Sequence, residues 1–133
     1  MQPHIASHAE QSEYFFKEGC YIVEHWNDAQ DPALSIARAR LEPGGTTRWH
    51  CVRDTIERYQ ILAGEGLVEG GDRPPTRVGP GDTVVIPAGV RQRIHNPGAG
   101  DLIFLALCTP RFEPENYQDL EVMDGNDRAS PDQ

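Results

Sequence analysis

Two stretches of sequence decide the fold. They are residues 44–64, GGTTRWHCVRDTIERYQILAG, and residues 81–96, GDTVVIPAGVRQRIHN. Both are rich in β-branched and aromatic residues and are bounded by glycine and proline turns, a pattern typical of short strands. Neither places apolar residues at the three-to-four-residue spacing of an amphipathic helix. The two stretches therefore predict antiparallel strands joined by tight turns.

The sequence around these stretches repeats the same pattern. Strand-like runs alternate with turns containing Gly, Pro, Asn or Asp, and this spacing predicts an all-β fold, an antiparallel sandwich or barrel. A short helical turn is predicted only around Ser12–Glu18. The predicted strands are Cys20–Trp26, Leu34–Leu41, Thr46–Val52, Glu57–Leu62, Gly66–Glu69, Thr83–Pro87, Arg91–Asn96 and Asp101–Cys108.

The chain length and the composition of its two ends predict one domain with two extensions. A length of 133 residues fits a single core. Residues 1–12 are polar and unpatterned, which predicts a flexible N-terminal arm. Residues 13–112 carry the strand pattern of the barrel. Residues 113–133 contain seven acids and one arginine, which predicts an acidic, loosely ordered tail.

The charge balance excludes some partners. The chain has 21 acidic and 12 basic residues, a net charge of −9, and such a field repels phosphate backbones. Nucleic acid is therefore not an expected partner. No apolar run approaches the roughly 20 residues of a membrane helix, and the N-terminal residues lack the apolar stretch of a signal peptide. We predict a soluble, cytoplasmic protein with no membrane partner and with free thiols at its three cysteines.

The two deciding stretches resemble the paired motifs of the cupin superfamily, G-x5-HxH-x3,4-E-x6-G and G-x5-PxG-x2-H-x3-N. The resemblance implies a small antiparallel jelly-roll β-barrel and pairing as a homodimer, with Cys20–Trp26 as the strand that could be exchanged. The matching segments are Gly44-x5-His50-x-Val52-x4-Glu57-x6-Gly64 and Gly81-x5-Pro87-x-Gly89-x2-Gln92-x3-Asn96.

Two of the four usual metal-ligand positions differ from the family pattern. A typical cupin site has three histidines and a carboxylate, whereas this chain has His50, Val52, Glu57 and Gln92 there. The resemblance implies that His50, Glu57 and Gln92 converge and hold a divalent Fe, Mn, Ni or Zn ion. The alternative is a metal-free pocket, because valine is no ligand and a neutral amide is a poor one.

Strand alternation adds residues to this site. Arg48 and His50 share a face if the strand is regular, as do Glu57 and Tyr59. Arg48, Glu57 and Tyr59 are therefore the candidate catalytic residues, with Arg48 and Tyr59 orienting the substrate. On the last strand, Gln92 faces inward, and a one-residue slip would put His95 there instead.

These observations leave three functional hypotheses. The first is an enzyme, a metal-dependent dioxygenase or isomerase, that acts on a small organic acid or enol inside the barrel. The second is a metal-free sensor or carrier that binds a small molecule in the same place. The third is a scaffold acting through its acidic tail. The fold alone does not choose among them, because it hosts many chemistries.

Overall fold

The chain forms a β-barrel in the computed structural model, which describes residues 2–8 and 12–121. Eleven strands and one short 3-10 turn, Pro114–Asn116, make up its regular structure in this part of the chain. The strands are β1 (Tyr14–Phe16), β2 (Cys20–Trp26), β3 (Ser35–Leu41), β4 (His50–Val52), β5 (Ile56–Ala63), β6 (Gly66–Gly70), β7 (Thr76–Val78), β8 (Thr83–Ile86), β9 (Gln92–His95), β10 (Leu102–Thr109) and β11 (Tyr117–Asp119).

The strands form two antiparallel sheets. The first has the order β1-β2-β3-β10-β5-β8, and the second has the order β11-β4-β9-β6-β7. From β3 onward the chain passes between the sheets after almost every strand, which is the path of a jelly roll and confirms the predicted fold. No helix within residues 2–8 and 12–121 is long and apolar enough to cross a bilayer.

Two glycines explain why the turns close as they do. Gly64 has a φ of +85°, and a Cβ there would lie 2.5 Å from the Asp101 carbonyl oxygen. Only glycine fits this turn between β5 and β6. Gly19 has a φ of +110° and ends the three-residue turn between β1 and β2. Glu18 lies in this turn.

The core lies between the two sheets. It is built from inward-facing aliphatic and aromatic side chains of both sheets, including Leu41, Ile61, Ile94, Leu102 and Phe104, each no more than 2% exposed. Burial of such side chains is the main favourable free-energy term in folding. Polar side chains are buried beside this core, among them His50, Gln92 and Asn96.

The ends of the barrel differ from the sequence-based predictions. The helical turn predicted around Ser12–Glu18 is wrong, because Tyr14–Phe16 pairs with β2 as a strand. The barrel also extends past residue 112, since Tyr117–Asp119 pairs with β4 and buries Tyr117. Residues 122–133 of the predicted tail, and residues 1 and 9–11 of the predicted arm, lie outside the described residues.

Candidate functional site

A cavity opens on the inner face of the first sheet. It has a volume of about 60 Å³, enough for roughly four to six water molecules. Strands β1, β2, β3, β5 and β10 line it, together with Phe112. Its lining combines aromatic and alanine side chains with the carboxyl groups of three glutamates, which makes it the candidate ligand site.

Glu57 projects from β5 into this cavity. Its Oε1 atom is buried and has no hydrogen-bond partner among the described residues. Burial and, to a smaller extent, the nearby charge of Glu18 raise the pKa of this carboxyl group, a hydrogen bond from Gln92 opposes the rise, and the resulting pKa is about 8. Glu57 is therefore mostly protonated at neutral pH and can donate a hydrogen bond or a proton.

Glu18 lines the same cavity from the turn between β1 and β2, and its side chain is 14% exposed. Its Oε2 accepts a hydrogen bond from the Cys20 thiol at 3.2 Å, and its Oε1 lies 3.7 Å from His50 Nε2. Glu18 was not predicted as a site residue, because a glutamate followed by glycine in a turn gives no signal that it faces inward.

His50 lies in β4 and is 1% exposed. Its Nδ1 is 2.7 Å from the Arg48 carbonyl oxygen. Because a carbonyl only accepts, Nδ1 carries a proton and donates it to this contact. The ring stacks on Tyr117 with a centroid separation of 5.0 Å, which fixes its orientation. His50 Nε2 thus faces the Glu18 carboxylate.

Gln92 and Tyr59 complete a hydrogen-bonded group beside His50. Gln92 is 1% exposed and lies opposite His50 in the pairing of β4 with β9. Its Oε1 accepts a hydrogen bond from the buried Tyr59 hydroxyl. Gln92 is thus inside the barrel, as predicted, whereas His95 Nδ1 lies 2.7 Å from Thr46 Oγ1. Neither Gln92 nor Tyr59 lines the cavity, and Tyr59 acts by positioning Gln92.

Arg48 lies elsewhere than the sequence predicted. Its Nε donates to Asp119 Oδ2 at 2.9 Å, and its side chain is 40% exposed. Regular alternation fails here because β4 begins only at His50, so Arg48 does not share a strand face with it. Arg48 is not among the residues that line the cavity.

The side chains at the predicted metal-ligand positions offer few donor atoms for a metal ion. Within residues 2–8 and 12–121, no three His, Cys, Asp or Glu side chains are grouped to hold a metal ion. Val52 offers no donor atom, and the Gln92 oxygen already accepts from Tyr59. Of the three predicted ligands only Glu57 reaches the cavity. This donor set does not fit a resident divalent ion of the usual cupin kind.

Comparison with known proteins agrees with this architecture. The family model described as "Cupin domain" matches residues 37–108, more than half of the chain. The uncharacterized protein MJ1618 of Methanocaldococcus jannaschii is 32% identical over 113 residues, which cover 84% of this chain and 87% of that protein.

Solved structures with a similar fold include two proteins described as enzymes. Pac13 of Streptomyces, a nucleoside dehydratase, has a TM-score of 0.75 at 15% identity, covering 92% of this chain and 95% of its own. A predicted oxalate decarboxylase of Thermotoga maritima has a TM-score of 0.66 at 23% identity, covering 80% and 99%. These likenesses concern the fold, and together with the family match they show that the chain belongs to the cupin family.

Proposed function

We propose that this protein is an enzyme that transfers protons within a small organic molecule held in the cavity, in an isomerisation or an elimination. The observation that carries the proposal is the difference between two glutamates that line one cavity. Glu57 is held as the acid by its burial, whereas Glu18 accepts a hydrogen bond from the Cys20 thiol and lies 3.7 Å from His50 Nε2. Two carboxyl groups in such different environments can serve as a general acid and a general base.

Glu57 supplies the acid. Glu57 lines the cavity, and its Oε1 is buried with no hydrogen-bond partner among the described residues. A substrate oxygen at this point would give the buried group its missing partner, and the proton could follow as charge develops on that oxygen. An acid whose pKa is close to the working pH is suited to give up its proton and to regain it.

Glu18 supplies the base, with His50 behind it. A proton taken up by Glu18 can pass to His50 Nε2, which lies 3.7 Å away and forms no hydrogen bond of its own among the described contacts. The Arg48 carbonyl and the Tyr117 ring hold the imidazole in place during this transfer. Glu18 and Glu57 are thus the catalytic residues of the proposal, and His50 is the reservoir for the proton.

Two relatives in fold support an enzyme in general terms. One is a nucleoside dehydratase and the other a predicted oxalate decarboxylase. A dehydration is itself an elimination that needs an acid and a base. The homodimer and the cytoplasmic location expected from the sequence stay predictions beside this proposal.

The metal-dependent hypothesis keeps His50, Glu57 and Gln92 as ligands of a divalent ion. One observation favours it, namely the unpartnered Glu57 Oε1. The two hypotheses can be told apart by the metal dependence of turnover. Under the metal-dependent hypothesis, turnover would need added metal and would stop with a chelator. The sensor or carrier hypothesis differs in another way, because a ligand would bind without being converted.

The test uses solvent deuterium as the reporter. Purified, tag-free protein is incubated in D2O with a panel of small hydroxy and oxo compounds, each followed by proton NMR and mass spectrometry. We expect at least one compound to gain carbon-bound deuterium or to lose water. Substituting either carboxyl group by its amide, Glu57→Gln or Glu18→Gln, should lower the rate by about 100-fold or more.

A control substitution makes the same change in net charge at a residue outside the cavity. Glu42 is exposed and does not line the cavity, so Glu42→Gln should leave the rate unchanged. Turnover that survives both Glu57→Gln and Glu18→Gln would refute the assignment. Turnover that requires a divalent metal would refute it in favour of the metal-dependent hypothesis.

A further inference from the structure

The lining of the cavity is acidic. Three glutamates line it, Glu18, Glu24 and Glu57, and no lysine, arginine or histidine is among its lining residues. Glu24 is exposed and stands at the opening, where the Tyr14 hydroxyl donates to its Oε2 at 3.2 Å. Glu18 is less exposed, its side chain being 14% accessible.

Two cations near the lining are held away from the cavity by other contacts. The Lys17 ammonium lies over the Tyr117 ring, 4.8 Å from its centroid. Arg111 donates to Asn27 Oδ1 at 2.8 Å, on the side chain of a residue that lines the cavity. The expectation of an organic acid as ligand rested on a bound metal ion and on Arg48, and Arg48 is paired with Asp119. No cationic side chain on the cavity lining is therefore placed to receive such an acid.

The remaining walls suit the apolar body of a cation. The rings of Tyr14, Phe16, Phe104 and Phe112 line the cavity. Aromatic faces attract ammonium groups as well as hydrocarbon, and the attraction grows when the cation is desolvated. Carboxylates together with aromatic rings form a suitable environment for an amine that is protonated at neutral pH.

We infer that the cavity selects a small organic cation, an ammonium with an apolar body, and excludes carboxylates and phosphates. This inference rests on the proposed function in that it names the class of molecule on which Glu57 and Glu18 act. The buried and unpartnered Oε1 of Glu57 provides the second polar contact, deeper in the cavity than Glu24. The ammonium lies against Glu18 and Glu24.

The experiment measures binding of three molecules of the same shape and different charge. Isobutylammonium, isobutanol and isobutyrate are titrated separately into full-length protein, and the dissociation constants are measured by NMR chemical-shift changes. We expect isobutylammonium to bind at least about tenfold more tightly than isobutyrate, with isobutanol between them, because the carboxylates attract one and repel the other.

Substitutions of the lining glutamates test whether the preference for isobutylammonium over isobutyrate arises in the cavity. Glu24→Gln and Glu18→Gln should each reduce the preference for the ammonium several-fold, because each removes one carboxylate from a partly exposed site. The control Glu42→Gln makes the same change in net charge outside the cavity and should leave the preference unchanged. Isobutyrate binding as tightly as isobutylammonium, or no detectable binding of isobutylammonium, would overturn the inference.

Binding is measured without turnover, so the two proposals can fail separately. Selective binding of the ammonium with no solvent exchange or elimination on any compound would leave the cation preference standing and refute the enzymatic proposal. Turnover of an anionic compound that depends on Glu57 would support the enzymatic proposal and refute the cation preference.

Discussion

The polar side chains inside this barrel fall into two neighbouring groups that differ in one respect. His50, Gln92 and Tyr59, the bonded cluster, are buried and joined to other protein groups by hydrogen bonds. Glu18 and Glu57, the cavity pair, border open space, and one Glu57 oxygen has no partner among the described residues. A polar group whose bonds are already made stabilises the fold, whereas one left unpaired beside a cavity is available to a ligand.

The largest expected effect concerns the pH dependence of stability through Glu57. Its pKa is raised in the folded state from 4.5 to about 8, so the folded protein binds more protons than the unfolded chain within that window. The free energy of unfolding should therefore fall as pH rises from about 4.5 to about 8, by at most about 1.4 kcal/mol per pH unit. Denaturant unfolding of the wild type across this range, compared with Glu57→Gln, checks it.

Glu57→Gln should remove this part of the pH dependence, because an amide does not titrate. The difference between the two curves isolates Glu57 from the other groups that ionise in the same range. Parallel curves for the wild type and the variant would show that Glu57 ionises normally, and the distinction between the two groups would be lost.

The next effect concerns two buried tyrosines that differ in their hydroxyl partners. Tyr59→Phe removes the donor to Gln92 Oε1 and leaves a buried oxygen unpaired, which should cost about 1–3 kcal/mol of stability. The Tyr117 hydroxyl is buried with no partner among the described residues, so Tyr117→Phe should cost less or even stabilise. Denaturant melts of the two variants provide the comparison, and equal losses would argue against a bonded cluster.

A smaller effect is expected at Arg48. Its ion pair with Asp119 is partly exposed, the two side chains being 40% and 23% accessible. Exposed pairs contribute about 0–1 kcal/mol, so Arg48→Gln should change stability by less than about 1 kcal/mol. It should leave the affinity for the isobutyl probes unchanged. A marked loss of isobutyrate binding in this variant would place Arg48 in the pocket after all.

The smallest effect is the change in metal content on substitution of a predicted ligand. We expect tag-free protein purified without chelators to hold well below one equivalent of Fe, Mn, Ni or Zn, with no change in Glu57→Gln or His50→Gln. The reason is the donor set, in which Val52 offers no ligand atom and Gln92 Oε1 is already bonded. Elemental analysis giving near one equivalent, lost in both variants, would show that the bonded cluster opens to bind metal.

The fold and the inward-facing side chain of β9 could both be predicted from the sequence, because glycine turns and strand alternation are local signals. Gln92 is inside, and Asn96 closes its turn by donating to the Leu41 carbonyl oxygen at 2.9 Å. Alternation failed at Arg48 because it holds only where the strand is continuous. The position of Glu18 could not be predicted from the sequence, since it depends on the hairpin of β1 and β2 at the edge of the first sheet.

The role of each motif residue was also beyond the sequence. His50, Glu57 and Gln92 occupy neighbouring motif positions, and nothing in their spacing shows that only Glu57 reaches the cavity. That outcome depends on the hydrogen bonds of His50 and Gln92, whose partners lie in other segments or on the backbone. Such contacts are set by tertiary structure, which a pattern of residue types does not describe.

The most direct test of the central claim is a titration of the Glu57 carboxyl group itself, followed by carbon-13 NMR of protein labelled at the glutamate side-chain carbons. The resonance that is missing in Glu57→Gln identifies the residue. We predict a midpoint at about pH 8, and a lower midpoint in Glu18→Gln, because the neighbouring charge contributes to the rise. A midpoint near the ordinary value of 4.5 in the wild type would mean that Glu57 is ionised at neutral pH, and the proposed acid would not exist.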